Sequence, residues 1–339
     1  MPGIVASAPG KLILFGEHAV IYGKLGIVAS IDKRCFVRVM PSGSDLQVRS
    51  KNYGLERTID EKRLVEFYFR TKSLVDARSY KALTMLSQDI FAAPLYVIAQ
   101  LAVKHGFKPA VIEIESELRT GLGSSSACFA ALALGYSKYL GVEYDLDGIS
   151  RLAFEGDILA HGGTPSGIDN TITTYGGFLT FRRGEGAKPL NLSYKPSLVV
   201  VESGEDARTS ETVSHIRELR ERDSKLVDSI MENLEAITLN ALDALKAADL
   251  ETLGKLMIAY YTTLSKLNIS TKKLDEIVEL SLKLGALGAK PTGGWGGGCC
   301  IALAKDEIHG EELAQRMVKA GFRAFTTRLG SPGVRIERQ

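Results

Sequence analysis

The stretch Thr120-Gly121-Leu122-Gly123-Ser124-Ser125-Ser126-Ala127 opens an alanine-rich segment whose apolar spacing predicts a helix over 124–140. Its glycines free the backbone for a tight turn. The first amides of the following helix have no partner within it, and the helix dipole favours an anion there. Ser124, Ser125 and Ser126 add hydroxyls suited to phosphate oxygens or a magnesium ion. The segment therefore reads as a phosphate cradle, with a serine-capped helix start after a glycine turn as the plainer alternative. It is not a Walker A loop, because no Gly-Lys-Ser/Thr closes it, and it is not a full Gly-x-Gly-x-x-Gly.

Two further glycine clusters lie on either side of it. Downstream, Thr292-Gly293-Gly294-Trp295-Gly296-Gly297-Gly298 precedes an apolar run. So many glycines cost more backbone entropy than a plain turn needs, which points to close approach of a ligand or to a mobile loop. Upstream, Pro9-Gly10-Lys11 is followed by Phe15-Gly16-Glu17-His18-Ala19-Val20 and Gly23. Lys11 is a lone lysine in an apolar run and, by itself, reads as a solvated strand residue.

Apolar runs punctuated by glycine predict strands at 12–15, 26–31, 35–40, 46–48, 110–114, 178–181 and 197–201. Residues 45–75 are otherwise polar and weakly periodic, a variable excursion. Helical spacing predicts helices at 92–105 and 148–159 and an almost wholly helical stretch over 210–284, with Asp249 as an N-cap. The tail reads as a strand at 300–304, a helix at 311–319, and strands at 324–328 and 334–337. A chain of 339 residues predicts two domains, and the polar stretch at 184–195 divides it into 1–185 and 186–339.

The net charge of +2, without a basic cluster, argues against nucleic acid as a partner. The longest apolar stretch, 90–103, is too short to span a bilayer, and the N-terminus has no signal-like core, so no membrane partner and a cytoplasmic location are expected. Cys35, Cys128, Cys299 and Cys300 match no zinc spacing and read as reduced thiols. A dinucleotide-binding oxidoreductase would need a strand, Gly-x-Gly-x-x-Gly and helix at the start, which this chain lacks.

Taken together, the Pro-Gly-Lys strand, the Gly-Leu-Gly-Ser-Ser loop and the C-terminal glycine loop, in this order, resemble the GHMP kinases. The stretches Ala8–Val20 and Gly163-Thr164-Pro165-Ser166-Gly167-Ile168-Asp169-Asn170, with Ala207-Arg208-Thr209-Ser210, are most similar to the mevalonate kinase family. The resemblance runs from about residue 6 to residue 303. It implies a two-domain α+β or α/β fold with a ribosomal-protein-S5-like first domain and a ferredoxin-like second domain, and with ATP in the cleft between them. It departs from the family at Pro291 and Trp295, where a leucine and a glycine are usual. An indole there would narrow the site or stack on a ligand.

The resemblance implies roles. Gly121, Leu122, Gly123, Ser124, Ser125 and Ser126 would hold the ATP phosphates. Ser125 and Asp157 would ligate Mg²⁺, a hard cation suited to oxygen. Asp169 and Lys11 would be catalytic, Asp169 taking the proton of the acceptor hydroxyl and Lys11 assisting or neutralising phosphoryl charge. Glu17, His18, Arg208 and Ser210 would shape the acceptor site. Thr292, Gly293, Gly294, Gly296 and Gly297 form the third loop. The implied acceptor is mevalonate, and a homodimer is compatible with the resemblance. Phosphomevalonate, homoserine or a sugar as acceptor, or a non-catalytic ligand-binding regulator on the same fold, are the alternatives.

Overall fold

The computed structural model describes residues 3–119, 121–163 and 165–338; Thr120, Thr164 and the side chain of Ser210 lie outside the described residues. In chain order the elements are β1 (Ile4–Phe15), a 3-10 turn (Ala19–Tyr22), β2 (Gly26–Pro41), β3 (Leu46–Ser50), β4 (Leu55–Ile59), α1 (Glu61–Asp76), α2 (Tyr80–Leu86), α3 (Ala92–His105), β5 (Ala110–Ser116), α4 (Ser124–Leu140), α5 (Leu146–Ala160) and α6 (Ile168–Tyr175). There follow β6 (Phe178–Arg182), β7 (Gly186–Pro189), β8 (Leu198–Glu202), α7 (Thr209–Arg222), α8 (Ser224–Ala247), α9 (Leu250–Ser265), α10 (Lys272–Lys283), β9 (Gly288–Thr292), β10 (Cys299–Leu303), α11 (Glu307–Lys319), β11 (Arg323–Thr327) and β12 (Arg335–Ile336).

The first sheet runs β12-β1-β2-β5-β3-β4, with β6 and β7 continuing from β2. The runs at 26–31 and 35–40 are one strand, not two. Polar Asp32 and Lys33 look like a break in the sequence, but β2 only changes partner there: Gly26–Ala29 pairs with β6 and Cys35–Pro41 with β5. α4 lies on β1 and β2, flanked by α3 and α5. The excursion at 45–75 is a β3–β4 hairpin followed by α1. That helix is mostly solvated, burying Leu64 and Thr71, so its sequence carries little apolar period.

The second sheet is antiparallel, in the order β11-β8-β10-β9. Side chains alternate along β8. Val199 and Val201 pack with α10 and α11, while Leu198 and Val200 join the main core, which includes Met257 and Tyr260 of α9. Asp249 caps α9 as expected, accepting from the Thr252 amide at 3.0 Å. The tail departs from expectation: β12 leaves the second sheet and pairs with β1, Ala6 opposite Ile336. Period-two patterning marks a strand but does not name its neighbour. The Arg34 guanidinium holds the tail there, donating to the carbonyls of Pro332 at 2.8 Å and Gly333 at 2.7 Å. Among the described residues no helix is long and apolar enough to cross a membrane.

α9 sits on β9 through two glycines. A Cβ on Gly254 would stand 2.3 Å from the Leu287 carbonyl oxygen, and one on Gly288 would stand 2.3 Å from the Gly254 carbonyl oxygen. Helix preference favours alanine over glycine by about 1 kcal/mol, whereas overpacking a close-packed core costs about 1–3 kcal/mol. Both clashes are with backbone, so the packing cost prevails. Gly254→Ala is expected to lower the melting temperature; a raised value in a thermal melt would show that α9 and β9 can separate freely.

Candidate active site

The site begins with β1. Gly10 passes so close to the loop before α4 that a Cβ there would lie 2.8 Å from the Leu122 carbonyl oxygen, and that same oxygen accepts the Lys11 amide at 2.8 Å. Gly123, left-handed at φ 77°, leaves room for the Lys11 stem; a Cβ there would stand 2.7 Å from Lys11 Cγ. The Lys11 side chain is therefore buried, not solvated, and its Nζ meets Asp169 Oδ1 at 3.1 Å. Asp169 stands in the first turn of α6, behind the left-handed Gly167. A carboxylate is favoured at that end of a helix.

Asp157, on the last turns of α5, is 1% exposed. Its partner is Ser126, whose Oγ lies 2.7 and 2.8 Å from the two carboxylate oxygens; Ser125 stands exposed on the cleft wall. Burial pushes the Asp157 carboxyl up to about 7, helped by the nearby Asp169 and opposed by His161, Ser126 and Lys11. His161 turns its Nδ1 to the Asp157 carbonyl oxygen at 3.0 Å. Among the described residues no group of three His, Cys, Asp or Glu side chains converges on a metal position. One buried carboxylate beside serine hydroxyls does fit a cation that keeps water and phosphate oxygens as its remaining ligands, which is the habit of Mg²⁺.

The third glycine loop closes on the first. Gly293 approaches Gly121, its Cβ position 3.4 Å from the Gly121 carbonyl oxygen, and Gly294 packs on Thr209. Gly293, Gly294 and Gly298 line a cleft of about 1520 Å³ together with Lys11, Asp157, Asp169 and the wall formed by Gly121, Gly123 and Ser124–Ser126. Leu122 is buried beneath the loop, and Gly296 and Gly297 face Arg208, Thr212 and Asp206 instead of the cleft. Trp295 neither narrows the cleft nor reaches into it. With φ at 60°, its side chain turns into the core, fully buried, with its ring centroid 6.0 Å from that of Tyr261.

The acceptor-side candidates divide. Glu17 is buried and ion-paired with Lys290. His18 adopts φ 61°, and its Nε2 contacts the Gly294 carbonyl oxygen at 3.0 Å while Nδ1 has no partner. Burial holds the ring down to about 4, so it is neutral at pH 7 and supplies no positive charge. Arg208 caps α7, mostly exposed and 3.8 Å from Glu211, and does not line the cleft. Thr292 anchors β1, its hydroxyl donating to the Ile13 carbonyl oxygen at 2.9 Å. In the sequence Arg217 opens the mixed-charge segment 217–225, which reads as a solvated helix face; the structure puts it on the cleft. Thr209, Val213 and Arg217 repeat at four-residue spacing along α7 and put one helix face on the cleft. Lys290, within Gly288-Ala289-Lys290-Pro291-Thr292, has no role that the sequence assigns; its burial on β9 and its pairing with Glu17 give it one.

Comparison with known proteins bears on this arrangement. Residues 91–177 match the GHMP kinases N terminal domain and residues 241–324 the GHMP kinases C terminal model. The chain is 33% identical over 336 residues to a mevalonate kinase of Aeropyrum pernix, and 34% identical over 350 residues to one of Pyrococcus horikoshii, each alignment covering 98% of both chains. It superposes with a TM-score of 0.76 and 27% identity on the L. major mevalonate kinase in complex with R-mevalonate, over 96% of this chain and 95% of that one. With the three glycine segments gathered on one cleft and relatives matched from end to end, the chain belongs to the GHMP kinases, in their mevalonate kinase branch.

Proposed function

We propose that the cleft transfers the γ-phosphoryl group of ATP to the 5-hydroxyl of mevalonate, giving 5-phosphomevalonate and ADP. The observation that carries this reading is the pairing of the buried Lys11 with the half-buried Asp169, at 3.1 Å, beside the glycine–serine loop that opens α4. Phosphoryl transfer asks for positioning and charge neutralisation more than covalent chemistry. Amides of residues 121–125 hold the ATP phosphates at the start of α4. Asp157, with Ser125 and Ser126, would hold Mg²⁺, which supplies charge neutralisation on the phosphates when bound. Asp169 takes the proton of the acceptor hydroxyl, and the Lys11 ammonium orients Asp169 and faces the charge of the transferring group.

Mevalonate carries a carboxylate, and a cation must meet it. His18 is neutral and Arg208 turns outward; among the cations that line the cleft, Arg217 shares its α7 face with Thr209, which packs on Gly294 beside His18, and we assign the carboxylate to it over Arg119, Lys273 and Arg323. The unpartnered Nδ1 of His18 is then an acceptor for a hydroxyl. Trp295 gives no ground for a different acceptor, because its indole lies away from the cleft. The reduced thiols Cys35, Cys128 and Cys300 accord with work in the cytoplasm.

An ADP-release assay with ATP and Mg²⁺ across mevalonate, phosphomevalonate, homoserine and galactose tests the acceptor: turnover on mevalonate is expected, and turnover on another compound alone would overturn it. Asp169→Asn is expected to lower kcat roughly 10²–10⁴-fold, the range for a lost proton acceptor. Arg217→Ala is expected to raise KM for mevalonate roughly 10–100-fold, since a hydrogen bond to a charged group is worth about 1.5–3 kcal/mol, with KM for ATP unchanged. His18 binds its proton only near pH 4 in the folded chain but near 6.5 unfolded. The unfolded state therefore binds more protons between those values. The contribution of His18 to stability is present above pH 6.5 and lost as pH falls towards 4; an NMR titration of the ring placing its pKa near 6.5 would contradict this.

A further inference from the structure

Lys290 lies on β9 with no exposed surface, its Nζ donating to Glu17 Oε1 and, at 2.8 Å, to the Pro291 carbonyl oxygen. The rings of Tyr260 and Phe15 stand 5.4 and 6.0 Å away. Glu17 belongs to the turn after β1 of the first sheet and lines the cleft, so this ion pair joins that turn to the second sheet at the cleft wall. Burial pushes the Glu17 carboxyl up and the Lys290 ammonium down, and each partner opposes the other's shift. Desolvating two ions costs several kcal/mol apiece, so a buried pair adds little stability over a well-packed apolar pair. Its distinguishing property is direction.

Three other ties surround it. Thr292 Oγ1 bonds both the amide and the carbonyl of Ile13; Tyr260 OH accepts the Gly16 amide at 3.1 Å and donates to the Glu17 carbonyl oxygen at 3.0 Å; His18 Nε2 meets the Gly294 carbonyl oxygen. Between these ties His18 adopts a left-handed backbone that a residue other than glycine rarely accepts. Such a conformation persists where its surroundings over-determine it. We infer that Lys290 and Glu17 are positioning residues, whose ion pair seats the Glu17–His18 turn on β9 and thereby sets both His18 at the acceptor end of the cleft and the glycine loop that follows Thr292. Neither residue needs to touch the transferring phosphoryl group. Lys290 acts through Glu17, and Glu17 through the backbone of His18. The inference deepens the proposed kinase reading and rests on it for the identity of the acceptor.

The chain holds a single tryptophan, Trp295, within the loop in question, so its emission reports loop placement without any turnover. Lys290→Met, Glu17→Gln and the double variant Lys290→Met/Glu17→Leu are compared with the parent chain by thermal melting, Trp295 emission and steady-state kinetics with ATP and mevalonate. In Lys290→Met the expected result is a red-shifted Trp295 emission and a KM for mevalonate raised at least tenfold, with KM for ATP within twofold. The double variant is expected to regain melting temperature, as two apolar side chains pack together, while its KM for mevalonate stays high. Recovery of melting temperature and KM together would reduce the pair to packing and overturn the inference. So would unchanged emission and KM in a folded Lys290→Met protein. Should the parent chain phosphorylate no acceptor, the kinase reading fails by itself, and the Trp295 shift still decides whether Lys290 sets the loop.

Discussion

A lysine ammonium with almost no access to water must find a carboxylate, and Lys11 finds Asp169 at 3.1 Å. Much of the local structure follows from that requirement. β1 must pass directly over the loop before α4, which is why Gly10 and Gly123 carry no side chain at the crossing. The β1–β2 pairing shifts register between Pro9 and Lys11, so the strand bends at that point. α6 must begin at Gly167 for its first turn to present Asp169 to the cleft. A buried charge left without its partner costs several kcal/mol, so these choices stand or fall together.

Behind that pair the two sheets are joined by polar contacts, where a plain apolar interface would suffice for cohesion. The Ile13–His18 segment of the first sheet meets Tyr260, Lys290, Thr292 and Gly294 of the second half of the chain in succession. Hydrogen bonds fix direction and register, which apolar packing alone does not. A cleft that must align a phosphoryl donor with an acceptor hydroxyl gains from such fixed registration, because small misplacements of reacting atoms slow transfer strongly.

Much of the site was legible in advance. Glycines at forced backbone positions and a serine run at a helix start point to a phosphate site by their chemistry, and motif surroundings pick out Lys11, Asp157 and Asp169, which the fold gathers on one cleft. The reading of Glu17, Arg208 and Trp295 depended on where side chains point. Glu17 is consumed by a partner 273 residues away, Arg208 turns outward at a helix cap, and Trp295 leaves the cleft because its left-handed backbone sends the indole into the core. Arg217 reads as part of a solvated helix face because a mixed-charge helix looks uniformly solvated until its axis is placed beside a cleft. The split of β2 and the neighbour of β12 were misread for a related reason: the pattern of one strand does not carry the identity of its partner.

What the sequence determined by itself was local. Residue chemistry set the helices at 92–105 and 124–140, the glycine turns, and the set of groups able to meet phosphate and a hydroxyl, because propensity, capping and backbone freedom act over a few neighbouring residues. Only the tertiary structure decided which charges pair. Lys11 with Asp169, Glu17 with Lys290 and Ser126 with Asp157 are each joined across long separations in the chain. Such pairings are settled by burial, since a charge removed from water is held only where the fold brings its complement within reach.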